Sequence, residues 1–351
     1  CRYVHAHLMA AVRRRDSRPH LTGGNSKQSQ IISSNLIAGI SAGLVSSLIT
    51  HPLDVITTRM QAHDGRRSTI PYYRNTVHAL WNITKKEGVF ALYIGVVPAL
   101  IGSSASWGIY FFGYNFLKTK LKERLRELQP NDPKTDQLSP LSNLACAVAT
   151  GCVSTVMTQP IWLIKTRLQL QLKGAKIYRG MSHCFSEILN HEGFFALYRG
   201  MAPSLLLVSH VALHFVAYEE IKTVIRSHNG GSETLAWHET LLASSVAKLF
   251  ATVSTYPTQV VRTRLQQVSP VSHLPPHLAA QAAPSAAASV RAAGTGPTVA
   301  SGAAGIAGAE PIVYKGTLDV FGKIVKHEGM AGLYKGLGTN LLRVGPTTAI
   351  T

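Results

Sequence analysis

Uncharged apolar segments alternate with short charged ones along the whole chain. No Asp, Glu, Lys or Arg occurs from Gln28 to Leu53, from Gly88 to Leu117, from Gln137 to Ile164 or from Gly200 to Tyr218. Thr240 to Val261 is interrupted only by Lys248, and Gly336 to Thr351 only by Arg343. The complete runs match the roughly 20 residues that cross a bilayer, so the pattern predicts six membrane-spanning helices in an all-α protein. Soluble helices of this length carry a charged outer face; these runs lack one, which argues against a soluble helical solenoid. Small residues recur in them, as in Ala38 to Ser47 with Gly39 and Gly43, and let membrane helices approach closely.

Three of the runs close on versions of one motif: PLDVITTRMQ from Pro52, PIWLIKTRLQ from Pro160 and PTQVVRTRLQ from Pro257. Each predicts an apolar helix that reaches proline, kinks and emerges into a charged loop. A second motif follows each copy: EGVFALYIG from Glu87, EGFFALYRG from Glu192 and EGMAGLYKG from Glu328. The period of roughly a hundred residues marks three tandem repeats, at residues 30–126, 138–228 and 235–351, behind an Arg-rich leader at 1–29. The third repeat is stretched by an Ala/Pro/Ser/Gly-rich segment, 269–310, which reads as a disordered insertion. The leader reads equally as an organelle presequence or as a misassigned start.

Composition sharpens this. Hydrophobic residues make up 46% and charged residues 15%, against roughly 25% charged in soluble domains. The net charge of +18 is spread through the interhelical loops, not gathered on one element, so it suits an anionic membrane surface and an anionic substrate and not nucleic acid. Cys1, Cys146, Cys152 and Cys184 show no zinc spacing and read as reduced thiols. No metal, nucleophile or phosphate-loop motif occurs, so an enzyme is not expected.

Gates between repeats should repeat, whereas a site for an asymmetric molecule should not. Nine residues before each motif proline lie Gly43, Gly151 and Lys248; seven after each motif-ending glycine lie Gly102, Leu207 and Arg343. A cation inside a span is costly and marks function, so Lys248 and Arg343 are the expected substrate contacts. Ser106, Trp107, His210 and His214 are further candidates, each also readable as packing.

The threefold pair of motifs resembles the mitochondrial carrier family over residues 30–351. The stretches SWGIYFFGYN from Ser106, PIWLIKTRLQLQ from Pro160 and YPTQVVRTRLQ from Tyr256 resemble its folate and FAD branch, near relatives of which carry NAD and pyrimidine nucleotides. The resemblance implies six helices in three pseudosymmetric repeats around a central site exposed alternately to either side, with Gly102, Leu207 and Arg343 at the substrate contact points. It implies a matrix-side gate in which the acid two after proline pairs with the base five after proline in the next repeat. Those acid positions hold Asp54, Trp162 and Gln259, and the bases are Thr57, Lys165 and Arg262. Asp54 with Lys165 is therefore the one ionic pair expected there, braced by Gln61, Gln169 and Gln266. The cytoplasmic-side gate maps to Tyr114 and Lys118, and to Tyr218, Glu219 and Lys222. The family's sixth helix continues past the motif where this chain stops, so a truncated sixth helix is expected. The implied protein is a monomer of the mitochondrial inner membrane, with plastid and peroxisomal membranes as alternatives. Its partners are lipid, cardiolipin among them, and a small anionic substrate: folate, FAD or NAD, carried and not retained as a cofactor. A carrier-like protein without transport is the remaining alternative.

Overall fold

The computed structural model describes residues 46–64, 70–128, 139–172, 178–228, 236–267, 314 and 316–350. Gly39, Gly43, the leader, the whole of the 269–310 insertion and Thr351 lie outside the described residues. Helix α1 covers 46–62, followed by α2 (Thr76–Glu87), a 3-10 turn (Val89–Tyr93) and α3 (Val96–Leu128). The second repeat gives α4 (Pro140–Leu170), α5 (Met181–His191), a 3-10 turn (Phe194–Tyr198), α6 (Met201–Leu206) and α7 (Ser209–His228). The third gives α8 (Trp237–Gln266), α9 (Thr317–Glu328), a 3-10 turn (Met330–Tyr334) and α10 (Leu337–Ile350). Among the described residues there is no strand.

Three stretches, Val89–Glu127, Leu141–Leu170 and Phe194–Ser227, are long and apolar enough to cross a membrane. The other expected spans are α1, α8 and α10; α8 carries Glu239, Lys248, Arg262 and Arg264, which dilute its apolar character. The span after Gly200 is not one continuous helix. It tightens at Leu207 and Val208, where Val208 N–H donates to the Leu205 carbonyl and His210 N–H to that of Leu207, a step of i→i+3 geometry.

The helices do not end at the motif prolines either. Pro160 and Pro257 lie inside α4 and α8, and Pro52 inside α1, so the following motif is helical and not loop. The reason is packing, because the residues after each proline are among the most buried of the described residues. Each repeat builds a small core there from the motif helix, the short amphipathic helix and the 3-10 turn. Ile56, Ile83 and Leu92 belong to the first core, Leu163, Ile188 and Leu197 to the second, and Val260, Ile324 and Leu333 to the third. The long helices meanwhile expose Phe112, Phe116, Leu242 and Phe250, as a lipid-facing surface requires.

Candidate functional site

The motif positions converge where α1, α4 and α8 meet. Arg59, Arg167 and Arg264, seven after each proline, are fully buried, and each turns to the glutamate of its own repeat. Arg59 grips Glu87 with both arms at 2.5 and 3.0 Å, Arg264 grips Glu328 at 2.5 and 2.9 Å, and Arg167 holds Glu192 in the same two-armed way. Bidentate charge-assisted bonds of this kind fix geometry strongly. The sequence displays both residues three times without showing that they pair.

Between repeats the bonds run in a closed circle. Thr58 Oγ1 lies 3.0 Å from Gln169 Oε1, Thr166 Oγ1 2.9 Å from Gln266 Oε1, and Thr263 Oγ1 2.8 Å from Gln61 Oε1. These threonines escaped the sequence reading; their only signal is position, six after each proline. A second threefold set uses three different side chains. His51, Gln159 and Tyr256, each just before a motif proline, donate to the carbonyls of Ile94, Arg199 and Lys335 at 3.1, 3.1 and 2.9 Å. Those carbonyls precede Gly95, Gly200 and Gly336, all at positive φ and all pressed against the next repeat's motif helix.

Asp54 sits at this level between two cations. Lys165 Nζ approaches Oδ2 at 2.6 Å and Gln169 Nε2 braces the same oxygen at 3.0 Å, while Arg343 Nη1 bonds Oδ1. The expectation of a single ionic contact is thus corrected, because α10 brings Arg343 within reach of α1. Gln61 does not brace a carboxylate. It donates to Tyr256 Oη at 3.1 Å, since its counterpart position holds Gln259. Trp162 explains a further departure. An indole accepts no hydrogen bond, so Gln266 Nε2 and Arg262 Nε, which would face an acid there, are without hydrogen-bond partners among the described residues. Lys165 lies over the Trp162 ring at 5.3 Å instead.

The remaining candidates divide. Gly102 packs α3 against α4, where an added Cβ would meet Ile161 at 3.1 Å and Trp162 at 3.5 Å. Ser106 Oγ donates to Thr158 Oγ1 at 3.2 Å and its carbonyl accepts from Ser154, so it joins the same two helices. Trp107 stacks on Phe111 with centroids 5.5 Å apart and stays 42% exposed. His210 Nδ1 is 3.0 Å from Thr255 Oγ1, with half-buried Lys248 within its electrostatic reach. Leu207 is half-buried at the tightened step after α6. At the opposite end, Glu219 bonds Lys222 of its own helix at 3.2 Å. Lys118 lies over Tyr114 and Lys222 over Tyr218, and Tyr114 Oη donates to Asn143. At the proline end Asp54 thus joins repeats through ion pairs with Lys165 and Arg343, while at the other end Glu219 with Lys222, Lys120 with Glu123 and Arg124 with Glu127 each pair within one helix.

A family profile described as mitochondrial carrier protein matches residues 28–125, 136–229 and 233–351. Folate transporter 1, chloroplastic, of Arabidopsis thaliana is 35% identical, over 90% of this chain and 91% of that protein. Nicotinamide adenine dinucleotide transporter 2, mitochondrial, of the same plant is 33% identical, over 91% of this chain and 77% of its own length. The peroxisomal nicotinamide adenine dinucleotide carrier of A. thaliana is 28% identical, over 88% and 89%.

Proposed function

The chain belongs to the mitochondrial carrier family, and from that membership we propose that this solute transporter carries a large anionic cofactor, folate or FAD, by alternating access. What carries the reading is Arg343: a guanidinium from the third repeat alone stands at the gate, where the other repeats offer Gly102 and Leu207. Lys248, equally without a counterpart, is the second expected contact. The similarity to a protein named as a folate transporter supports the first choice of substrate. An NAD or pyrimidine-nucleotide exchanger is the second reading, favoured by the two relatives named for NAD. Residence in the mitochondrial inner membrane, a monomeric state and contact with cardiolipin complete the proposal; exposed Phe90, Phe195 and Leu318 at the short-helix end offer apolar surface to lipid.

Reconstitution of the full chain in liposomes, with uptake of folate, FAD and NAD measured in parallel, distinguishes the substrates. Lys248→Ala and Arg343→Ala are expected to weaken uptake about ten- to a hundredfold in apparent affinity, the effect of losing a hydrogen bond to a charged group. Wild-type rate and affinity in both variants would remove the two cations from the site.

A further inference from the structure

We infer that the seam between the second and third repeats, α4 against α8, binds a small free oxyanion of carboxylate or phosphate size, held by Arg262 and Gln266 in the place of the acid that Trp162 displaces. The first seam supplies the pattern. There Lys165 Nζ and Gln169 Nε2 take the same oxygen of Asp54 at 2.6 and 3.0 Å, so a cation and an amide together hold one carboxylate. Between the third and first repeats cation and acid are both replaced, by Thr57 and Gln259, and the amide of Gln61 donates to Tyr256 Oη instead. Only the second seam keeps the cation and the amide without the acid. Gln266 is 2% exposed and its Oε1 is tied to Thr166 Oγ1. That bond turns its Nε2 to the position equivalent to the one where Gln169 Nε2 meets Asp54, and there Nε2 has no partner among the described residues. Arg262 Nε lacks one as well, and no carboxylate acts on its guanidinium. A guanidinium cannot shed its charge, and a buried charge without a counter-ion is costly. Both groups are donors only, which suits an oxyanion and excludes a cation. Trp162 leaves them accessible: its indole lies over Lys165 at 5.3 Å with its Cε2 and Cζ2 edge at Gly102 of α3, and Arg262 stays half-buried. The same seam is also a bond short. Arg59 Nε and Arg264 Nε donate to the carbonyls of Gln169 and Gln61 at 3.0 and 3.1 Å, whereas Arg167 Nε has no partner among the described residues.

Inorganic phosphate is the probe, titrated against chloride at constant ionic strength into the detergent-solubilised full chain while thermal unfolding is followed. A ligand of the folded state raises the melting temperature saturably, by about 5 °C at about 100 times its Kd. Arg262→Gln is expected to abolish that rise. Trp162→Asp, which supplies the carboxylate from α4 itself, is expected to abolish it too and to melt near the phosphate-saturated wild type. No saturable rise in wild type, or a rise of wild-type size in Arg262→Gln, overturns the inference. Should Arg262→Gln fail to fold, Trp162→Asp decides, because an undiminished phosphate response there overturns it equally. Folate, FAD and NAD carry the same oxyanion chemistry, so each is also added at fixed concentration during the titration. An unchanged phosphate midpoint leaves the site to the free anion; a midpoint raised in wild type gives it to the transported substrate and overturns the inference. Failure of all three to enter liposomes would remove the substrate reading while leaving the phosphate response to stand or fall by itself.

Discussion

Arg59, Arg167 and Arg264 are fully buried yet charged, and their glutamates supply the opposite charge that makes this tolerable, helped at Arg59 and Arg264 by backbone carbonyls of a neighbouring motif helix. Removing one partner of a buried pair leaves an uncompensated charge and costs about 3–5 kcal/mol. Glu87→Gln should lower the melting temperature of the detergent-solubilised protein sharply, while Glu123→Gln, in an exposed pair with Lys120, should leave it where it was. Glu328 adds a pH signature. Burial pushes its carboxyl up, but the Arg264 bonds and Lys335, 2.5 Å away, prevail and hold it below the ordinary carboxylate range. The unfolded chain then binds this proton more readily than the folded one. The stability Glu328 contributes is therefore complete above about pH 4.3 and is lost as pH falls through the lower folded value. Acid titration of unfolding should show a flatter curve below that pH for Glu328→Gln than for wild type; an unchanged slope would contradict the assignment. Asp54, Lys165 and the repeating arginines and glutamates were visible in the sequence because charge stands out in an uncharged run. That Arg59 meets Glu87, and that His51, Gln159 and Tyr256 make one equivalent bond, was not visible. The first needs the chain to turn back on itself, and the second uses unlike side chains for the same donor role.

At the scale of elements, what the sequence hid was how the motif helices continue. Proline removes a helical donor, which suggested an exit into a loop, but burial after the proline outweighs that loss. Each short amphipathic helix is closed by a glycine whose backbone suits no other residue well: Gly88, Gly193 and Gly329 all have positive φ. Around Gly88 an added Cβ meets nothing within 4 Å, whereas at Gly95 it would stand 2.9 Å from Gln169 Cγ. Gly88→Ala should therefore cost only backbone strain, about 1–3 kcal/mol, and Gly95→Ala distinctly more, because it also displaces the glutamine that braces Asp54. Thermal unfolding of the two variants side by side checks this, and equal losses would show that Gly95 is not pressed as tightly as its surroundings imply.

Across the whole molecule the threefold plan was legible from spacing, whereas the inequality of its seams was not. The seam between the first and second repeats has Asp54 with Lys165, and that between the third and first has Arg343 with Asp54. In the seam between the second and third, Thr166 keeps its bond to Gln266 while Arg167 Nε, Arg262 Nε and Gln266 Nε2 lack hydrogen-bond partners among the described residues. One substitution in the pattern, Trp162 in an acid position, accounts for two of these three atoms. The circle of threonines has a bearing on how such a closure lets go. Thr58, Thr166 and Thr263 each also lie 2.9, 3.0 and 3.1 Å from a carbonyl of their own helix, that of Asp54, Trp162 and Gln259. A hydroxyl has a single proton, so each threonine chooses between its neighbour's glutamine and its own backbone. Under the alternating access proposed above, parting of the repeats would let the proton swing home by a small rotation of one side chain, so that no donor is stranded away from water, where it would cost about 1–3 kcal/mol. The clasp is thus reversible by construction: every proton it gives up at opening already has a second address.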